Sequence, residues 1–284
     1  MYDVIIIGAG PAGISASLYA KRANLNVLVL YYGESNLEKA IEIENYYGFE
    51  NGISGRDLYL NGIKQAQNIG VDVKEEEVLH IEKLQSDFEV TTSNEKYTGK
   101  TVIIATGNKK LKPDIVGIEE FDGKGISYCA ICDGFFYRKK NVVVIGNGKY
   151  AISEAEDLQN IANNVKILTN GLEMQAESNF EIVNKKIKQI LGDTKVRQIE
   201  FEDGEILDID GIFVALGEAG GSDFAKKMGV ITKGDSINVD ENMSTNIDGL
   251  FSCGNVVGGL LQVCKAVYEG AEAGLSAVKY VKNK

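Results

Sequence analysis

Cys129-Ala130-Ile131-Cys132 sets two cysteines two residues apart, with Asp133 directly behind them. That spacing puts both sulfurs within bridging distance at a helix start. There the positive end of the helix dipole stabilises thiolate and lowers its pKa. Asp133 is placed to move protons as the sulfurs exchange charge. A zinc site needs a second pair of ligands. Cys253 and Cys264 have ten residues of other types between them, and the single histidine, His80, lies in a different segment. No metal site is therefore expected.

A second string with chemical meaning, Gly8-Ala9-Gly10-Pro11-Ala12-Gly13, follows a β-branched run at 4–7 and opens a helix at about 14–22. Gly8 allows a tight turn, Gly10 lets a pyrophosphate approach the backbone, and Gly13 lets helix and strand pack closely. The helix start then offers free N–H groups to the phosphates. Glu34, 21 residues past Gly13, is the candidate acid for a ribose, although the strand before it ends in Tyr31-Tyr32-Gly33.

The elements that must hold these strings repeat one pattern. Residues 142–145 lead into Gly146-Asn147-Gly148-Lys149-Tyr150-Ala151 and a helix at about 152–161, and strands follow both units, at 27–30 and 165–168. Two such strand–helix–strand units predict two doubly wound nucleotide folds. Further strands are expected at 101–107 and 211–217, and residues 249–255 lead into a last helix at about 262–280. Its Gly270, Ala271, Ala273 and Gly274 read either as tight helix–sheet packing or as a helix facing a nucleotide. The expected fold is α/β, with two Rossmann-like, three-layer domains.

The 284 residues suffice for two cores, and 44% hydrophobic with 25% charged residues describes a soluble globular chain. A net charge of -11 argues against a broad nucleic-acid or anionic-membrane surface. The basic clusters Lys109, Lys110, Lys112 and Arg138, Lys139, Lys140 read first as solvated loop charge. No apolar run approaches the ~20 residues of a membrane span, and the chain starts on a strand without a basic leader. The expected location is the cytoplasm, where a close cysteine pair points to catalysis or metal binding more than to structure.

Taken together, GAGPAG at 8–13, IENYYGF at 43–49, IIATG at 103–107, CAICDGFF at 129–136, the second unit at 141–155 and LFSCGN at 250–255 resemble the low-molecular-weight thioredoxin reductases nearly end to end. The resemblance implies that the second domain is inserted in the first, with 1–110 and 239–284 forming the first and 111–238 the second, which carries the cysteine pair. It also implies FAD in the first fold, whose sheet is completed by the C-terminal segment, a thioredoxin disulfide as substrate, and a homodimer. It implies that Gly8, Gly10, Pro11, Ala12, Gly13, Asn45, Ala105, Thr106, Gly107, Gly254, Asn255, Lys265 and Ala266 line FAD, with Glu34 added from its spacing. Cys132 is then the flavin-proximal sulfur, Cys129 its exchange partner and Asp133 the acid/base.

Three departures matter. The family's Gly-Asp is Gly254-Asn255 here, and Asn still accepts and donates hydrogen bonds. Its Arg-Gln-Ala is Cys264-Lys265-Ala266, with Cys264 read as a small buried residue. The family's arginines for a 2′-phosphate are missing: no basic residue lies between Lys166 and Lys185, and Glu173 and Glu177 stand there instead. Thr169 and Asn170 do not supply the acid that NADH needs. The second fold then reads as a scaffold without a working nicotinamide site. In this respect the chain is similar to the ferredoxin-dependent flavin thioredoxin reductases, and ferredoxin is the expected donor. A net-acidic chain repels an acidic ferredoxin at long range, so docking falls to the local clusters at 109–112 or 138–140. The alternatives are a conventional NADPH-dependent reductase and a flavin redox sensor or interaction module without turnover.

Overall fold

The computed structural model describes residues 1–107, 113–217, 220–234 and 236–284, apart from the side chains of Cys132 and Ser222. The Lys109, Lys110, Lys112 cluster lies outside the described residues.

The chain opens with β1 (Tyr2–Ile7), α1 (Pro11–Arg22) and β2 (Val27–Tyr31), then α2 (Gly55–Asn68) and β3 (Asp72–Glu75). A meander of β4 (Val78–Lys83), β5 (Phe88–Thr92) and β6 (Lys96–Ile104) follows. Next come β7 (Ile126–Ser127), α3 (Ala130–Asp133), β8 (Asn141–Ile145), α4 (Lys149–Gln159), β9 (Asn164–Leu168) and β10 (Glu181–Val183). After these run β11 (Ile187–Gly192), β12 (Val196–Phe201), β13 (Ile206–Asp208) and β14 (Gly211–Val214). The chain ends with α5 (Gly221–Lys227), β15 (Thr232–Lys233), β16 (Ser236–Ile237), β17 (Leu250–Ser252) and α6 (Val263–Asn283).

Two compact units result, Met1–Lys109 with Gly220–Lys284, and Lys110–Ala219. The first holds a seven-stranded sheet ordered β3-β2-β1-β6-β5-β4, with β17 also on β6. Strands β1, β2, β3, β6 and β17 run parallel, and β4 and β5 add an antiparallel flap. Ile6, Val29 and Ile103 are fully buried on this sheet, each contributing about 1.5–3 kcal/mol by leaving water. The second unit holds the parallel sheet β10-β9-β8-β14-β7 and a three-stranded sheet β11-β12-β13. Its core includes Ile145, Leu168, Ile212 and Phe201.

Two features differ from the sequence reading. The second division falls at Ala219, not 238. Phe224, Ala225, Val230 and Ile237 are buried, and a Cβ on Gly221 would lie 2.3 Å from Thr106 Oγ1 and 2.8 Å from Val256 Cγ2. Residues 220–238 therefore belong to the first core. The two glycines of α6 are set by a neighbouring helix, α1. A Cβ on Gly270 would lie 2.1 Å from the Ala12 carbonyl oxygen, and one on Gly274 would lie 2.6 Å from that of Ala16. The close approach of α6 to α1 is what demands glycine there.

Candidate functional site

Parallel strands place loops at their C-terminal ends, where ligands bind in open α/β sheets. In the first unit Gly8, Ala105 and Cys253 follow the adjacent strands β1, β6 and β17. Gly8 donates to the Leu30 carbonyl (2.7 Å), Ala105 to that of Ile7 (2.8 Å) and Cys253 to that of Ile104 (3.1 Å). Gly8 is left-handed at φ +111°, and a Cβ there would lie 2.3 Å from the Ala105 oxygen. One on Gly13 would lie 1.9 Å from the Gly8 oxygen, whereas one on Gly10 meets nothing within 4 Å. The α1 start has no side-chain cap and carries Pro11 at its first turn. An open glycine beneath an uncapped helix start fits a pyrophosphate, so this cradle fits FAD.

The other candidates lie on several elements of the first unit. Ala12 and Gly13 form the first turn of α1, and Thr106 and Gly107 extend the β6 loop with Gly107 left-handed at φ +74°. Asn45 donates through Nδ2 to Gln262 Oε1 (3.0 Å), joining the loop after β2 to the cap of α6. Glu34 is exposed in the loop beyond β2. Gly254 and Asn255 lie in a 3-10 turn, Gly254–Val257, and Ala266 is buried at the start of α6. The Lys265 ammonium bonds the carbonyls of Gly254 (2.9 Å) and Gly258 and pairs with Glu269 (2.9 Å).

The remaining cysteines separate by burial. Burial, reinforced by Glu269, pushes the Cys253 thiol up, which leaves it unreactive. Cys264 is exposed, contrary to the buried residue the sequence suggested. It stands two residues before Ala266, on the side of α6 away from the buried stripe of Ala266, Gly270, Ala273 and Ala277.

In the second unit Cys129 is 3% exposed and disulfide-bonded, while Cys253 and Cys264 are free. The helix behind Cys129 is only four residues, Ala130–Asp133, continued by a 3-10 turn, Gly134–Tyr137. So short a helix carries little dipole, and other contacts hold the segment. The buried Glu154 on α4 accepts from the Ala130 N–H at 2.7 Å. Ser127 Oγ donates to Asp133 Oδ2 at 2.7 Å and accepts from the Cys129 N–H at 3.1 Å. The Tyr137 ring meets Phe213 edge-on at 5.2 Å, over Gly211, where a Cβ would lie 2.1 Å from Tyr137 Cε1. Burial, and then the Asp133 and Asp210 carboxylates, push the Tyr137 phenol up. Sequence reasoning missed Ser127 and Glu154. The signal for Glu154 was an acid inside the apolar stripe Tyr150, Ala151, Ala155 and Leu158 of α4.

The second glycine turn is unlike the first. Asn147 accepts the Gln175 N–H at its carbonyl (2.8 Å), and its Nδ2 donates to the Glu173 carbonyl (3.1 Å). A Cβ on Gly148 would lie 4.0 Å from Gln175 Oε1. The loop leaves β9 through left-handed Asn170 (φ +52°) and Gly171 (φ +81°) and folds back over the turn. Tyr150, where the turn calls for a small residue, is buried.

Residues 2–270 match the family of pyridine nucleotide-disulphide oxidoreductases. Over 302 residues the chain is 33% identical to a thioredoxin reductase of Listeria innocua, covering 99% of this chain and 94% of the relative. The chain belongs to the thioredoxin reductase family. Among solved members of the thioredoxin reductase family, an atypical one from Desulfovibrio vulgaris Hildenborough is similar at a TM-score of 0.92 and 34% identity, over 100% of this chain and 99% of that one. A ferredoxin-flavin thioredoxin reductase from Clostridium acetobutylicum is similar at 0.73 and 34% identity, with the same coverage. Two Rossmann-like folds, the second inserted, are the architecture of this thioredoxin reductase family member, and no helix among its described residues is long and apolar enough to cross a membrane.

Proposed function

We propose that the chain reduces the disulfide of a thioredoxin with electrons from reduced ferredoxin, through FAD and the Cys129/Cys132 pair. The loop at 170–175 carries the choice of donor: it is tied to the carbonyl and side chain of Asn147 in the second glycine turn, and it offers Glu173 and no cation in the segment where a dinucleotide phosphate needs positive charge. The full-length likeness to a ferredoxin-flavin enzyme supports the same reading.

FAD, when bound, supplies a carrier that can be charged one electron at a time and discharged by two. Its proposed holders are Gly8, Gly10, Pro11, Ala12, Gly13, Glu34, Asn45, Ala105, Thr106, Gly107, Gly254, Asn255 and Ala266, while the Lys265 ammonium, committed to Glu269 and two backbone carbonyls, acts through the turn that carries Gly254 and Asn255. Reduction of the Cys129–Cys132 disulfide takes up two electrons and two protons. The Cys129 thiolate then attacks one sulfur of the thioredoxin disulfide, forming a mixed disulfide and releasing a thiolate. The Cys132 thiolate attacks Cys129, which re-forms the internal disulfide and frees the second thioredoxin sulfur. Asp133, held by Ser127, takes and returns the proton at each exchange.

Anaerobic bleaching of the yellow protein tests the donor. Reduced ferredoxin is expected to bleach it and support thioredoxin reduction, while NADPH and NADH leave the flavin oxidised. Rapid bleaching by NADPH would make it a conventional reductase. Turnover with neither donor would favour the sensor reading.

Ferredoxin docks on the exposed Arg138 and Lys139. Arg138 lies over the Phe135 ring at 5.3 Å, beside exposed Phe136. Reversing both charges, R138E/K139E, is expected to raise the ferredoxin concentration for half-maximal rate several-fold at low salt, and less at high salt. Unchanged kinetics would remove this docking face.

A further inference from the structure

Lys265 and Glu269 form an i,i+4 pair on the first turns of α6, Nζ to Oε2 2.9 Å, with their side chains only 14% and 12% exposed. As helix chemistry the pair is in the less favourable order. Glu preceding Lys is the better arrangement, and a cation in the first turn opposes the helix dipole. The neighbouring backbone explains the order. The 3-10 turn Gly254–Val257 leaves an N–H at its start and carbonyls at its end. Glu269 Oε2 accepts the Gly254 N–H at 2.9 Å, while Lys265 Nζ donates to the carbonyls of Gly254 (2.9 Å) and Gly258. The carboxylate holds the N–H that opens the turn, and the ammonium holds one carbonyl at its start and one just past its end.

That turn is intrinsically loose. Gly254, Gly258 and Gly259 are left-handed at φ +82°, +79° and +77°, and glycine reaches this region at the cost of stiffness. Asn255 lies within the turn, and a Cβ on Gly254 would lie 2.8 Å from Ala12 Cβ at the start of α1. The turn's shape therefore sets where Asn255 stands relative to the first glycine cradle. We propose that Lys265 and Glu269 are a positioning pair that staples both ends of this turn and so fixes Asn255 for the cofactor. The inference rests on the FAD reading above. A largely covered ion pair that also bonds the backbone helps to define one conformation, and losing one partner leaves the other charge partly desolvated and alone.

The test reads FAD release on dilution of the purified flavoprotein, by recovery of flavin fluorescence, with circular dichroism to verify the fold. K265Q and E269Q are expected to weaken FAD binding by about ten- to a hundredfold, the range for losing a charged hydrogen-bond partner. The exchanged pair K265E/E269K keeps an ion pair but presents a carboxylate to the carbonyls and an ammonium to the N–H, and is expected to stay weak. Wild-type affinity in the exchanged pair would reduce the interaction to a helix ion pair and overturn the staple. Should a single variant fail to fold, K265M/E269M decides, since it removes both charges: weakened FAD binding supports the staple, and wild-type affinity overturns it. A wild-type protein that binds no FAD sinks the cofactor reading itself, whereas tight wild-type binding with unaffected variants sinks only the pair.

Discussion

Cys132→Ser is expected to give a yellow protein that holds FAD as tightly as the wild type and reduces no thioredoxin. Serine matches cysteine in shape but cannot close a disulfide, and its hydroxyl stays protonated where a thiol ionises. Removing one member of a covalent relay leaves no partial pathway, so the fall in thioredoxin turnover is expected to exceed roughly 10³-fold. The FAD cradle lies in the unit formed by Met1–Lys109 and Gly220–Lys284, and Cys132 lies in the other, so flavin content is the internal control. Turnover that survives the substitution would overturn the assignment of the pair. Cys129→Ser should match it in loss of turnover, because each sulfur is the other's only route back to the disulfide.

The next largest effect separates two glycines three residues apart. Gly13→Ala drives a methyl to 1.9 Å from the Gly8 oxygen and 3.2 Å from Ile6 Cγ2. Gly8 cannot yield, being tied to Leu30 and pressed on Ala105. A clash on pinned backbone is expected to cost about 3 kcal/mol or more, lowering the melting temperature by roughly 5–10 °C in a chain of this size. Gly10→Ala meets nothing, and its φ of -71° suits any residue. Its stability is expected to stay within about 0.5 kcal/mol of wild type, while flavin retention collapses because the new methyl fills the space reserved for phosphate. Thermal melts with and without added FAD distinguish the two. A Gly10→Ala protein that keeps its flavin would remove the pyrophosphate from that turn.

Much of this was legible because a strand, a glycine turn and a helix form a local signal. Gly8, Gly10 and Gly13 announce their geometry within six residues, and the second unit repeats it at Gly146. What was not legible depends on contacts between distant residues. Ser127 reaches Asp133 across the cysteine pair, and Glu269 reaches Gly254 from 15 residues away. Neither shows in spacing. The loop at 170–175 was readable as lacking positive charge for a phosphate, but its fold back onto Asn147 depends on the left-handed Asn170 and Gly171. The end of the inserted unit was misplaced because α5 has no composition break before it; only its packing against Thr106 and Val256 assigns it. Cys264 reads as buried from its residue type, whereas its offset from the stripe at Ala266 and Gly270 turns it outward.

The hydrogen bond from Ser15 Oγ to the Val267 carbonyl, 2.7 Å long, joins residues 252 positions apart. It is one thread of the seam between α1 and α6, and β17 closes on β6 in the same way. On the ribosome, β1 and α1 emerge early and must wait for almost the whole chain before their last partners exist. The inserted unit is continuous in sequence, and all its strands are available some 65 residues sooner, the length of Gly220–Lys284. Synthesis therefore builds the cysteine-bearing unit first, and the cofactor's unit is completed last.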